Sequence, residues 1–331
     1  MRTLLLTAVV ASLALPAPTS AADFAKYLPE NATVYAHIRT KNLFTADVVR
    51  KTIPMVFDKY GDHIIALAGL AKQFNPNPNA PFPSDEQIKM GIEQLKDPKV
   101  IAQGFDAAKD FAPEFVITGN PDEDPESTLF LIKTDEGINA EAVEGVVQLI
   151  NLGAQGQVKI KKVGKAKAAL FEVSLQQPPV TFFAAIPEGG LIIIGAKRDG
   201  VEAVAKGKEA KIDAQLKTLI GKRNDKDFIF AAGVKGKGDE RETFVSNLVL
   251  DKDISGKFVA NAASTEKAKE IADKVNETIG EAVEKLKDQL GDGAKGIKAE
   301  LDKIKAKQDG KTVTLEGKLP GTALEKLLTK D

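Results

Sequence analysis

The chain has 331 residues, with 46 Lys and Arg against 47 Asp and Glu and a net charge of −1, so no broad field draws it to nucleic acid or anionic lipid. Hydrophobic residues make up 43%, enough for a packed core, while the absence of Cys removes disulfides, thiolate metal ligands and a thiol nucleophile at once. Trp is absent and the three Tyr (Tyr27, Tyr35, Tyr60) lie close together near the start, so a flat aromatic platform for sugars or bases is not expected.

Residues 1–21 read as a cleavable signal peptide. Arg2 supplies the positive start and Leu4 to Leu15 form an apolar run of twelve residues, well short of the roughly 20 that a membrane-spanning helix needs. Pro16 and Pro18 end that run, and Thr19, Ser20, Ala21 and Ala22 suit a signal peptidase, which places cleavage after Ala21 or Ala22. With no Cys at the cleavage site there is no lipoprotein signal, and no later stretch reaches spanning length. The expectation is an exported chain in a periplasmic or extracellular space.

The remaining residues, about 310, can build one large domain or two intimate halves. A first strand is expected over 33–39, with Val34, Ala36 and Ile38 on an apolar face and Tyr35, His37 and Arg39 on a polar one. A helical region follows over 45–74, broken or kinked at Pro54 and Gly61, then a rigid proline-rich loop over 75–83. Ser84 with Gln87 forms a capping box that starts a helix striped by Ile88, Ile92 and Leu95. Strands at 115–118 and 128–132 flank an acidic loop; Ala140, Val143, Val146, Val147 and Ile150 then recur at helical spacing. Hairpins are expected around Gly164, between 158–163 and 168–173, and around Pro187 to Gly190, where Leu191 to Ile194 are apolar on both faces as in a central strand.

Strands at 228–234, 243–250 and 256–261 lead into the longest helical pattern. Ala268, Ile271, Ala272, Val275, Ile279, Ala282, Val283, Leu286 and Leu290 keep one stripe that should be buried against the preceding strands. A second helix carrying Ile297, Leu301 and Ile304, a strand at 312–317 and a short helix close the chain. The fold class is α+β, a mixed or mainly antiparallel sheet layered by helices. Residues 22–225 and 226–331 each read as an α+β half, and either a duplication or one continuous sheet satisfies the pattern.

No motif carries chemistry through. Gly291 to Gly296 has dinucleotide-loop spacing, but a helix precedes it where a strand is required, and neither it nor Gly190 to Gly195 continues into a P-loop Lys-Ser/Thr. Asp251, Asp253 and Ser255 with Gly256 resemble half a calcium loop; its twelfth position is Ala262, so a polar hairpin turn is the reading. Asp122, Glu123, Asp124 and Glu126, punctuated by Pro121 and Pro125, read as a solvated loop. The two histidines, His37 and His63, cannot make a His-rich zinc site. Lys159, Lys161, Lys162, Lys165 and Lys167 read as the wet face of a hairpin, or as a landing site for an acidic partner. No catalytic, cofactor-binding or metal residue is therefore assigned.

The segments Leu28-Pro29 leading into Thr33-Val-Tyr-Ala-His-Ile, Leu248-Val-Leu-Asp-Lys-Asp-Ile-Ser-Gly-Lys-Phe-Val before an Ala-Lys-rich helix, and Lys311-Thr-Val-Thr-Leu-Glu-Gly-Lys-Leu-Pro-Gly resemble uncharacterised exported α+β proteins abundant in planctomycete-type bacteria. The resemblance implies an exported α+β protein and assigns no activity. The leading functional expectation is a non-enzymatic binding or scaffolding protein of the cell envelope, its partner an unknown protein or envelope component met through a sheet face or a long helix. The alternatives are a carrier of an apolar ligand held between sheet and helices, and a carboxylate-dependent hydrolase.

Overall fold

The computed structural model describes residues 24–73, 84–134, 158–163, 169–176, 179–187, 190–207, 212–290 and 295–329. The expected signal peptide, the loop over 75–83, the helix over 140–150 and the turn at Gly164 lie outside them. In chain order the elements are a 3-10 turn Phe24–Tyr27, β1 Val34–Arg39, α1 Thr40–Thr45, α2 Asp47–Gln73, α3 Asp85–Leu95, α4 Pro98–Ala108, β2 Glu114–Gly119 and a 3-10 turn Pro125–Ser127. Then come β3 Leu129–Lys133, β4 Val158–Lys162, β5 Ala169–Gln176, β6 Pro179–Ile186, β7 Leu191–Gly195, α5 Arg198–Ala205, α6 Ala214–Ile220, β8 Asp227–Lys235 and a 3-10 turn Gly238–Glu240. The last are β9 Glu242–Leu250, β10 Ile254–Asn261, α7 Thr265–Leu290, α8 Lys295–Leu301, β11 Lys307–Asp309, β12 Thr312–Leu319 and α9 Gly321–Thr329. Among the described residues, twelve strands run in the order β11-β12-β10-β9-β8-β1-β2-β3-β7-β6-β5-β4. The class is α+β, as the strand and helix periods in the sequence require.

The chain divides into two compact units. Unit 1 takes residues 1–41, 110–247 and 259–264; unit 2 takes 42–109, 248–258 and 265–331. Both are discontinuous in sequence, and residue 225 lies within unit 1.

In unit 1, β1 pairs antiparallel with β2 on one side and β8 on the other, and β2, β3, β7, β6, β5 and β4 follow as an antiparallel series. β7 is flanked by β3 and β6, which accounts for its apolar residues at every second and every intervening position. One face is closed: Val116, Leu131, Leu191, Ile193, Phe230 and Ala232 are buried. α5 packs over β6 and β7, and α6 over β8 and β1, each bringing its own apolar stripe. Val201 and Val204 come from α5 and Leu216 and Leu219 from α6. Full burial of each large side chain contributes about 1.5–3 kcal/mol.

The expected assignment of the faces of β1 is reversed. Tyr35 and His37, placed on a polar outer face by their chemistry, are each 2% exposed, while Val34, Ala36 and Ile38 are half-buried. Tyr35 stands in register with Ala232 and Thr118, and His37 with Phe230 and Val116, so both share the closed face with the apolar core. Their polar atoms are accommodated because partners from other strands and turns reach them.

In unit 2, α2 is one helix through Pro54 and Gly61, so of the expected break or kink the break does not occur. Pro54 lacks the N–H that would meet the Arg50 carbonyl, yet packing with α3, α4 and α9 holds the helix together. Gly61 serves that packing, since a Cβ there would sit 2.9 Å from Cγ2 of Ile92 on α3. α3 begins on the expected capping box: the Gln87 N–H donates to Ser84 Oγ at 3.2 Å, and the Ser84 N–H donates to the Gln87 side chain at 2.8 Å. Asp97 with Pro98 starts α4 in the same spirit, its carboxylate accepting from the Lys99 N–H at 2.8 Å. α7 buries Ala268, Ala272 and Val283 and half-buries Ile271, Val275 and Ile279; Ala282 falls on the exposed side. Its sheet contacts are chiefly with β12 and β11, which follow it in sequence rather than precede it. Asn276 ties it down, accepting from the Ala306 N–H at 2.7 Å and donating to the Ala306 carbonyl at 3.2 Å.

Candidate functional site

The densest polar arrangement on the closed face of unit 1 centres on His37. Its Nε2 lies 2.8 Å from Oε2 of Glu114, the first residue of β2, and its Nδ1 lies 3.0 Å from a terminal guanidinium nitrogen of Arg223. A guanidinium only donates, so Nδ1 must accept and the ring proton must sit on Nε2, which donates to Glu114. The same Arg223 nitrogen donates to the Tyr35 hydroxyl at 2.7 Å. Phe24 presents its ring to that of His37 edge-on, the centroids 5.5 Å apart, and Tyr35 does so at 6.2 Å.

The charges follow from these contacts. Burial pushes the His37 pKa below its ordinary value of 6.5, the Arg223 and Arg39 cations push the same way, and Glu114 opposes them. For Glu114, burial acts upward, but the hydrogen bond to His37, with Lys133 and Arg39 behind it, holds its carboxyl below the usual range. Burial raises the Tyr35 phenol and the Arg223 cation offsets part of that rise. At neutral pH the group is an uncharged imidazole bridging a guanidinium and a carboxylate.

The turn that carries Arg223 has its own anchors. Arg39 donates to the Asn224 carbonyl and lies 3.4 Å from Asp225. Asp227, 2% exposed, accepts from the Asn224 N–H at 2.7 Å and from the Asn247 side chain at 2.9 Å. The sequence points to His37 alone as a candidate in this group; Glu114 and Arg223 come to it from 77 and 186 residues away. The one legible signal was an aromatic and a histidine two residues apart on a strand whose other face is apolar.

The arrangement leaves His37 no free lone pair for proton abstraction, because one nitrogen donates and the other already accepts. The other motifs resolve as local structure. His63 is exposed on α2, its ring 6.3 Å from that of Tyr60. Asp253 accepts from the Gly321 N–H at 3.0 Å and pairs with Lys318 at 2.7 Å, tying the β9–β10 turn to α9. In the acidic loop Asp124 and Glu126 pair with Lys197 at 2.6 and 3.7 Å, Asp122 with Lys235 at 3.7 Å, and Glu123 with Asn120. Gly119 (φ +153°) lets the loop close, since a Cβ there would sit 2.9 Å from the Ser127 carbonyl oxygen. Lys159, Lys161 and Lys162 are exposed on the edge strand β4; Lys165 and Lys167 lie outside the described residues, as does most of the glycine segment before Gly296. Among the described residues, no three His, Asp or Glu side chains are grouped so as to hold a metal ion, and no helix is long and apolar enough to cross a membrane.

No family model matches the chain, and no curated protein matches it. The resemblance to exported planctomycete-type proteins therefore rests on the sequence segments that carry it. Among solved structures, the chain is similar to one titled as crystal form I of TP0453, at 6% identity and a TM-score of 0.38, over 94% of this chain and 98% of that one. A similarity at that level carries no argument about function.

Proposed function

We propose that the chain is an exported, non-enzymatic binding or scaffolding protein of the cell envelope that meets a protein partner through the sheet face of unit 1 opposite α5 and α6. The observation that supports this reading is Phe130. Its ring is 47% exposed on β3, in a cross-strand row of apolar residues formed by Ala36, Ile117, Ile194 and Ala184. An aromatic side chain in an apolar row is the kind of anchor that protein interfaces use. The closed state of the His37 group supports the non-enzymatic part, because every nitrogen of the ring is already engaged. Export is supported by Arg2, the apolar run from Leu4 to Leu15 and the small residues Thr19 to Ala22.

A photo-crosslinking amino acid at position 130, used in intact envelopes of the producing cell, tests the surface. The expected result is a protein adduct of discrete mass that excess wild-type chain competes away and excess F130S does not. F130S should melt as the wild type does, being a surface change. Equal competition by both chains overturns the surface, and a stoichiometric apolar molecule in an organic extract of the purified protein would establish the carrier instead. Intact mass of the released chain tests export: a start at Ala22 or Asp23 is expected, and retention of residues 1–15 overturns it.

A further inference from the structure

The His37 group reaches a part of the molecule that the partner surface does not use. We propose that Glu114, His37 and Arg223 form a pH-operated lock that holds the turn between α6 and β8 onto β1 while the imidazole is neutral and releases it when the imidazole gains a proton.

The geometry dictates the direction. With the ring neutral, Nε2–H donates to Glu114 and Nδ1 accepts from Arg223. A second proton can only go to Nδ1, the atom that receives the guanidinium N–H. The hydrogen bond is then lost and two cations face each other at 3.0 Å on a ring that is 2% exposed. Arg223 is the partner able to leave, because it sits on an exposed turn whereas His37 is fixed in register between Val116 and Phe230.

Of the other groups facing His37 only Glu114 favours the added proton, and burial with the two arginine cations outweighs it. β1 contributes Arg39, a further cation, and the Tyr35 phenol; β2 contributes Glu114, which already holds Nε2–H. On β3, Lys133 stands in register with Glu114 and draws on the same carboxylate. β8 places Phe230 beside the ring and Asp227 at its start, where Asn224 and Asn247 occupy both carboxylate oxygens. The N-terminal 3-10 turn offers the Phe24 ring, with Lys26 exposed beyond it. Arg39 and Asp227 keep the far end of the turn attached, so release is local to the residues around Arg223.

The sign of the linkage follows. A histidine whose folded pKa lies below its unfolded value stabilises the closed turn fully above about pH 6.5, and that contribution is lost as the pH falls from there through the lower folded value.

Hydrogen exchange of the 221–226 segment, corrected for intrinsic rate, reads the lock directly. The Lys222 and Arg223 amides, at the end that is released, are both bonded in the closed turn. An H63N background leaves His37 as the only imidazole, so its proton resonance gives the titration midpoint on the same sample. The expected result is exchange that rises on the order of tenfold per pH unit below about 6.5 until the imidazole midpoint is passed, then levels off. H37Q should remove that pH dependence. R223Q, which removes the opposing cation without touching the ring, should move the imidazole midpoint upward and keeps the test decisive if H37Q fails to fold. Exchange that ignores the imidazole titration, a dependence that survives in H37Q, or an unmoved midpoint in R223Q would each overturn the lock.

Discussion

β1 in unit 1 and α7 in unit 2 both announce themselves by an amphipathic period, yet only one of them buries the face its period indicates. On α7 the stripe through Ala268, Ala272 and Val283 is buried, and the charged residues between them are exposed. On β1 the apolar residues are half-buried and the face carrying Tyr35 and His37 is closed. Local chemistry sets the burial of α7 because its charged side chains stay exposed, the Lys269–Asp273 ion pair among them. It does not set that of β1, because Glu114 and Arg223 bring Tyr35 and His37 partners that replace their hydration. Periodicity therefore misranks the faces of an element where long-range partners bury its polar residues.

Three measurements can break this contrast. The largest effect should come from A268D. It places an unpaired carboxylate at a fully buried position of α7 and costs several kcal/mol, a large share of the roughly 5–15 kcal/mol that holds a domain. Denaturant unfolding should show unit 2 lost or strongly destabilised. K274D, on the exposed side of the same helix, should stay within about 0.5 kcal/mol. Equal tolerance of the two would mean that the stripe of α7 is not what packs it.

E114A should come next, at about 1–3 kcal/mol, because it strands the His37 Nε2–H inside the closed face. Removing the carboxylate also takes away the one group that raises the His37 pKa, so the acid loss of stability should extend to lower pH than in the wild type. A variant as stable as the wild type at pH 7.5 would show that β1 does not depend on its long-range partners. N276A should be smaller again, about 1–2 kcal/mol for two hydrogen bonds to Ala306. A loss matching that of A268D would put the weight of α7 on this polar tie and not on its apolar stripe.

The local signals of the sequence were legible wherever they acted over a few residues. Ser84 and Gln87 announce their capping box, Leu191 to Ile194 their central strand, and the residues from Asp251 to Asp253 their turn. These depend on torsional preference and on backbone groups at hand, which adjacent residues settle among themselves. The break expected at Pro54 and Gly61 is absent for the opposite reason, since the continuity of α2 comes from the helices packed against it.

The α+β class, the strand and helix periods, the helix start at Ser84 and the exclusion of thiol chemistry were determined by the sequence alone, because each follows from composition or near-neighbour geometry. The His37 group was decided only in three dimensions. Glu114 and Arg223 lie 77 and 186 residues from His37, and neither a charge count nor a period can show that a glutamate on β2 and an arginine after α6 meet the two nitrogens of one ring. The units were decided in the same way, because residues 42–109 join the C-terminal helices through packing that chain order does not record. Burial of a polar group is a property of its partners, and partners separated by most of the chain are chosen by tertiary structure.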